Sequence, residues 1–202
     1  ETKFIMGLRV TDEKTIKVVE SVMIEFNKEI VSALEKKGCA AKSINVKENN
    51  IISVEQKNEI LGFVGKPTNI NGILIKNIIQ KNFIPVISPM GLDNKKQTYN
   101  INADTAAGAL ARALKSRRLL LMTDVEGVYD KNRKLISEIK PSDAEKLIYD
   151  NTVSEGMIPK IRTCIKALDD GVKGVVIIDG RKAHSILFEL FSDQGAGTLI
   201  RK

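Results

Sequence analysis

Four short segments carry residue types able to bind an anion or assist a group transfer. Gly7-Leu8-Arg9-Val10-Thr11-Asp12 places an arginine just before a Thr/Asp helix cap. A guanidinium there could fork onto a carboxylate, or end in a rim salt bridge. Tyr99-Asn100-Ile101-Asn102-Ala103-Asp104 runs straight into an alanine- and leucine-rich stretch, so two amides and a carboxylate converge at a helix start. Amides there can donate to a carboxylate or phosphate without adding charge, while capping by Asn102, with Asp104 in the first turn, satisfies the same backbone groups. Thr123-Asp124-Val125-Glu126-Gly127-Val128-Tyr129-Asp130 follows an apolar run, and its alternative reading is an ordinary glycine-containing strand exit. Gly156-Met157-Ile158-Pro159-Lys160 puts a lysine just inside a helix opened by Pro159. The helix dipole penalises a cation there by up to about 1 kcal/mol, so Lys160 is either solvated or faced by an anion.

The chain that must position these residues has 202 of them, 43% hydrophobic and 28% charged, a globular composition with length for one core. No apolar run approaches the roughly 18 residues of a bilayer span; Leu119 to Met122 is the clearest short one. With Cys39, Cys164 and His184 as the whole Cys/His complement, a disulfide framework is excluded and a four-ligand zinc site would need carboxylates. No metal site is expected, and a reducing compartment, the cytoplasm, is. The net charge of +7 suits phosphometabolites or nucleic acid, but tryptophan is absent, aromatics are 4%, and no basic stretch is interleaved with aromatics. Neither nucleic acid nor membrane is therefore an expected partner. Glu1 is not an initiator methionine and no signal-like stretch follows it, so a preceding portion is expected to be missing.

Apolar residues from Ile16 to Leu34 recur at three and four, predicting a long amphipathic helix over 11–37 that Gly38 ends. Ile51 to Val54 reads as a hairpin arm, 69–82 as a helix capped near Asn71, and Phe83 to Ser88 as a buried strand. Residues 104–114 read as a helix, 119–123 as a strand, 142–149 and 159–170 as helices, and 175–178 as a third strand. No repeat or flexible linker interrupts them. Alternating strands and helices with continuous apolar strands predict an α/β fold with a parallel sheet covered on both faces. Ligand residues should then follow the carboxyl ends of the strands.

The ordered set GLRVTD, FNKEIV, GFVGK, IPVISPMG, YNINADTAA, TDVEGVYD, EGMIPK and ELFSDQGAGTLI closely resembles the amino acid kinase family, and within it the branch that phosphorylates N-acetyl-L-glutamate. The resemblance spans nearly the whole chain. It implies a three-layer αβα sandwich around a mainly parallel sheet, with the N-terminal strands missing. It also implies transfer of the ATP γ-phosphoryl group to a side-chain carboxylate in arginine biosynthesis, with Mg2+ held through the phosphates. Residues 1–202 would form one partial kinase domain, about 1–100 from the substrate lobe and about 101–202 from the nucleotide lobe. By the same resemblance Lys160 neutralises the moving phosphates and Asp104 organises the active-site lysines, while Arg9 and Asn100 bind the acetylated substrate. Asp124, Val125, Glu126, Gly127, Val128 and Tyr129, with Thr152, Val153 and Ser154, would bind the nucleotide. Glu189 and Gly195 match the signature of arginine-inhibited members, although a helix end with a glycine cap reads the same way. A homo-oligomer, a dimer or a ring of dimers, is implied.

The family's opening strand, with its phosphate-facing lysine, and its second glycine loop do not occur in these residues; Gly62 and Gly65 belong to a later motif. The Val22 to Asn27 stretch is one residue shorter than the family's and lacks its glycine, and Ala41 to Lys47 replaces a Gly-Lys-Asp element. The 202 residues alone are expected not to be a competent kinase. The competing readings are an inactive remnant or interaction subunit of the same fold, and a sibling kinase with another carboxylate or carbamate acceptor.

Overall fold

The structure, a computed structural model, describes residues 4–5, 8–153 and 156–202. The chain divides between Leu114 and Lys115 into two compact units.

In the first unit, β1 (Phe4–Ile5) and β2 (Leu8–Arg9) pair antiparallel. Helix α1 (Glu13–Lys36) is capped by Asp12, whose carboxylate accepts from the Thr15 backbone N–H at 2.7 Å. Those bonds hold the Asp12 carboxyl below its usual range. The predicted start at Thr11 moves inward because Thr11 is fully buried and bridged to Gly62. Gly38 ends the helix at φ 81°, as expected, donating to the Glu35 carbonyl. There follow β3 (Ala41–Ile44), β4 (Ile52–Gln56), β5 (Gly65–Ile70), α2 (Gly72–Gln80), β6 (Ile84–Ile87), β7 (Met90–Leu92), β8 (Thr98–Asn100) and α3 (Ala103–Leu114). β4 is the anticipated hairpin arm and pairs antiparallel with β5. That pairing takes Asn69 and Ile70, so the helix predicted from 69 starts only at Gly72, behind the Asn71 cap. β5-β4-β7-β8 form one sheet, and β3 and β6 form a separate parallel pair. The expected buried strand is buried only in part, since Phe83 and Ile84 stand open while Val86 is bonded to the buried Asn27 of α1. Helix α3 stays with this unit because it packs on β5 and α2. Ile44, Ile52, Ile75 and Ile101 anchor the core between these elements.

The second unit contains β9 (Arg118–Thr123), β10 (Glu138–Ile139), α4 (Pro141–Tyr149), α5 (Met157–Asp169), β11 (Gly174–Asp179), α6 (Ser185–Phe191) and β12 (Gly197–Ile200). The strand order is β10-β12-β11-β9, with β9 parallel to β11 and β12 antiparallel to it. All six residues of β11 are buried, which requires cover on both faces; α5 and α6 both pack on it. Helix α5 begins at Met157 rather than Pro159. Pro159 is thus its third residue, where the absent N–H is one of the donors a helix start leaves unpaired. The α/β class stands, with parallel pairs β3–β6, β4–β7, β9–β11 and β10–β12 among antiparallel ones. Among the described residues no helix is long and apolar enough to cross a membrane.

Candidate functional site

In the first unit the Gly62–Val64 loop is a rung between two of the segments singled out above. Thr11 N–H donates to the Leu61 carbonyl at 3.0 Å and Phe63 N–H to the Thr11 carbonyl at 2.7 Å. On the other side Asn100 N–H donates to the Phe63 carbonyl at 2.9 Å. Two such spacings set the Thr11 and Asn100 backbones about 10 Å apart. Gly62 (φ 67°) permits the approach, because a Cβ there would lie 2.3 Å from the Thr11 carbonyl oxygen. Arg9, exposed on β2, is tied in by its carbonyl, which accepts from Thr11 Oγ1 at 3.1 Å. Asn100 ends β8 half-buried, and Asp104 lies half-buried in the first turn of α3. Asn102 acts as a cap: its side-chain oxygen accepts from Thr105 N–H at 3.0 Å.

The second unit gathers the TDVEGVYD and Thr152 segments around one cavity of about 210 Å³, lined by Val125, Gly127, Val128, Tyr129, Thr152, Val153 and Met157. β9 delivers the first segment at its carboxyl end. Gly127 is pressed against β12, since a Cβ there would meet Thr198 Oγ1 at 2.4 Å, and Val128 N–H donates to that oxygen at 2.8 Å. The lining is apolar apart from backbone, the Tyr129 ring and Thr152. Thr152 Oγ1 is buried with no hydrogen-bond partner among the described residues, an omission that costs about 1–3 kcal/mol unless a ligand supplies a partner. Ser154 lies outside the described residues. Lys160, half-buried, follows Met157 by three positions on α5, one turn along the same face.

Asp124 and Glu126 belong to a charged cluster that sequence reasoning missed, formed with the loop after β11. Asp179 takes both Arg181 bonds, at 3.0 and 2.9 Å, and the guanidinium holds its carboxyl down at about 2. Lys182 donates to Glu126 Oε1 and Tyr129 OH to Glu126 Oε2, the latter at 3.1 Å. These bonds pull the Glu126 carboxyl below its usual range and raise the Lys182 ammonium above its own. Desolvation and then the bond to Glu126 push the Tyr129 phenol up. The signal was present in the sequence: Asp179-Gly180-Arg181-Lys182 follows the strand Val175–Ile178, at a carboxyl end where ligand residues are expected.

A second cavity of this unit, about 540 Å³, includes Arg118, Glu138, Glu189, Gly195 and Arg201 in its lining. Glu189 is 7% exposed and already carries two partners, Arg118 at 2.7 Å and the Ala196 N–H at 3.0 Å. Gly195 (φ 68°) turns the chain so closely that a Cβ would sit 2.8 Å from Glu189 Oε2. Helix α6 ends at Phe191 with Ser192 as its cap, so Gly195 is not a helix-capping glycine but turns the chain back against the Glu189 carboxylate.

The chain is of the mixed α/β class, with polar clusters at the carboxyl ends of β9 and β11 and a cavity beside one of them, and comparison with known proteins narrows that class. The model of the amino acid kinase family matches residues 1–179, and the chain belongs to that family. The acetylglutamate kinase of Pelagibacter ubique (strain HTCC1062) is 58% identical over 202 residues, all of this chain and 70% of the relative. Among solved structures, a Streptococcus mutans UA159 protein superposes with a TM-score of 0.86 at 28% identity, covering the whole chain and 77% of that one. The N-acetylglutamate synthase of Neisseria gonorrhoeae, solved with coenzyme A and N-acetyl-glutamate, shares the fold, with a TM-score of 0.91 at 22% identity over all of this chain and 47% of its own.

Proposed function

We propose that the protein transfers the γ-phosphoryl group of ATP to the side-chain carboxylate of N-acetyl-L-glutamate, in the cytoplasm and in arginine biosynthesis. The observation that carries this reading is the cavity of about 210 Å³, which is lined by the two segments expected to bind nucleotide and has in its wall the Thr152 hydroxyl, without a partner among the described residues. Such a cavity suits a nucleobase. Mg2+ enters with the nucleotide, held through its phosphates, and neutralises part of their charge. The acceptor carboxylate, with an ordinary pKa of about 4.3, is ionised at neutral pH and needs no general base. The protein's part is to place it and to neutralise charge on the phosphoryl oxygens. Arg9 grips a carboxylate of the acceptor and Asn100 its amide, on segments joined by the Phe63 rung. Asp104 keeps the organising role the resemblance assigns, and Lys160 serves the phosphoryl oxygens. The first unit then serves the acceptor and the second the nucleotide.

Two finer points belong to this reading. L-arginine would bind at Glu189, where it must share or displace the Arg118 guanidinium. The protein would also work as a homo-oligomer. The test of the whole is the full-length protein with ATP, Mg2+ and acceptor, the acyl phosphate being trapped with hydroxylamine. N-acetyl-L-glutamate should support the reaction with glutamate and aspartate much poorer, and equal rates on all three would sink the assignment.

A further inference from the structure

Two ion pairs stand side by side at the carboxyl ends of β9 and β11, and they differ in kind. Arg181 is 68% exposed, but it holds both oxygens of Asp179, itself 5% exposed, so that pair is the firmer of the two by its bidentate geometry. Lys182 meets Glu126 through one point contact, with the two side chains 53% and 40% exposed. An exposed single-contact pair of this kind is worth little and exchanges readily. Glu126 also sits inside the segment whose Val125, Gly127 and Tyr129 line the nucleotide cavity, and its other oxygen holds the Tyr129 hydroxyl. The Lys182 ammonium is therefore two hydrogen bonds from the cavity wall. Lysine is a compact point charge on a flexible stem, suited to following a phosphate.

We propose that Lys182 is a phosphate-binding residue for the nucleotide, held in reserve by Glu126 and transferred to a polyphosphate oxygen when nucleotide enters. This assignment rests on the nucleotide reading of the cavity. Glu126 is in that case a competitor for Lys182, and the two residues have opposite effects on affinity. The exchange moves an ammonium from carboxylate to phosphate, with no bond made or broken, and leaves Glu126 still bonded to Tyr129. A purely structural pair predicts otherwise, because loss of either partner would loosen the Tyr129 wall and weaken every ligand of the cavity alike.

The test is calorimetric binding of ATP, ADP and adenosine to the full-length protein and to Lys182→Met, Glu126→Gln and the double variant. Lys182→Met should weaken ATP and ADP by about tenfold, the scale of one charge-assisted contact, and leave adenosine unchanged. Glu126→Gln, which still accepts from Tyr129, should tighten ATP about threefold by freeing the lysine. The double variant should match Lys182→Met. Adenosine guards against misfolding, since a loss confined to phosphate-bearing ligands cannot come from a collapsed cavity. A double variant restored to wild-type affinity would mean that Lys182 only masks Glu126, and would overturn the proposal, as would equal weakening of adenosine. Wild-type protein that binds adenosine and ATP, with variants unchanged, overturns this assignment alone. Wild-type protein that binds neither overturns the nucleotide reading and this assignment with it.

Discussion

Lys160 enters α5 as its fourth residue, half-buried, at the helix end where a cation is least favoured. An anionic ligand reverses that disadvantage, so the residue should matter most when phosphate charge is developing. Lys160→Ala is expected to lower kcat by roughly 100-fold or more, the scale for removing one electrostatic donor. Arg9→Ala should instead raise the KM for the acceptor with a smaller effect on kcat. Steady-state kinetics of the full-length enzyme check both, and unchanged turnover in Lys160→Ala would show that the lysine takes no part in the transfer. Asp179 carries a different prediction, in stability. Its carboxyl is lowered from 3.8 to about 2 in the fold by Arg181, so its contribution is complete above about 3.8 and is lost as pH falls through about 2. The melting temperature of Asp179→Asn should lie below wild type at pH 5, with the gap closing as pH approaches 2. A gap independent of pH would remove the Arg181 bond as its cause.

At the scale of elements, long periodic segments were legible and short ones were not. The 24 residues of α1 hold several turns of apolar recurrence, and the Gly38 stop and Asn71 cap could be read directly. β3, β7, β8 and β12 have only three or four residues each, too few to display an alternation. The Ser185–Phe191 run reads as apolar in any conformation, and its helical state depends on packing against β11. The same contrast holds for the site. Asp124 to Tyr129 follow a visible strand, but only the family resemblance marks them for nucleotide, whereas Met157 lies two residues ahead of the helix start that Pro159 suggests. The contact between Gly62 and Thr11 was also invisible, being made across 51 positions by backbone alone. It is testable: Gly62→Ala combines a φ of 67° with a Cβ at 2.3 Å from a carbonyl oxygen. We expect a loss of about 1–3 kcal/mol in stability and weaker acceptor binding, since Arg9 and Asn100 are joined through this loop. A variant with wild-type denaturant midpoint and acceptor affinity would refute the rung.

At the scale of the whole molecule, α1 has more apolar surface than its own unit covers. Ile16 is buried and Asn27 reaches Val86, yet Val18, Val22, Phe26 and Ile30 are 63%, 53%, 54% and 36% exposed. Spaced at four, they form a stripe about 18 Å long that winds from the open side of the helix at Val18 to the margin of its buried face at Ile30. Helix α1 packs on β6, whose first residue Ile84 is also open, as is Phe83 just before it. Near the stripe's beginning Lys17 is paired with Glu13 at 3.0 Å and Lys14 stands beside them, while Glu25 and Glu29 flank its second half and Lys28 there pairs with Glu48. Two copies of α1 crossing antiparallel near Val22 would set Lys14 of one against Glu25 and Glu29 of the other, so the homo-oligomer proposed above has a second copy of this chain as the expected occupant of the stripe. The homo-oligomer proposed above would then be built on α1. Phe26→Glu puts a charge into the middle of the stripe, where burial without a partner is costly, and little should change in a monomer because the side chain is half exposed already. Sedimentation velocity of the full-length protein should show wild type as a dimer or larger and Phe26→Glu as a monomer, with the melting curve of the variant lowered and dependent on concentration no longer. Lys14→Glu should weaken the association, and Lys14→Glu with Glu25→Lys and Glu29→Lys should restore part of it. An assembly that survives Phe26→Glu would place the interface elsewhere and leave the stripe on α1 unexplained.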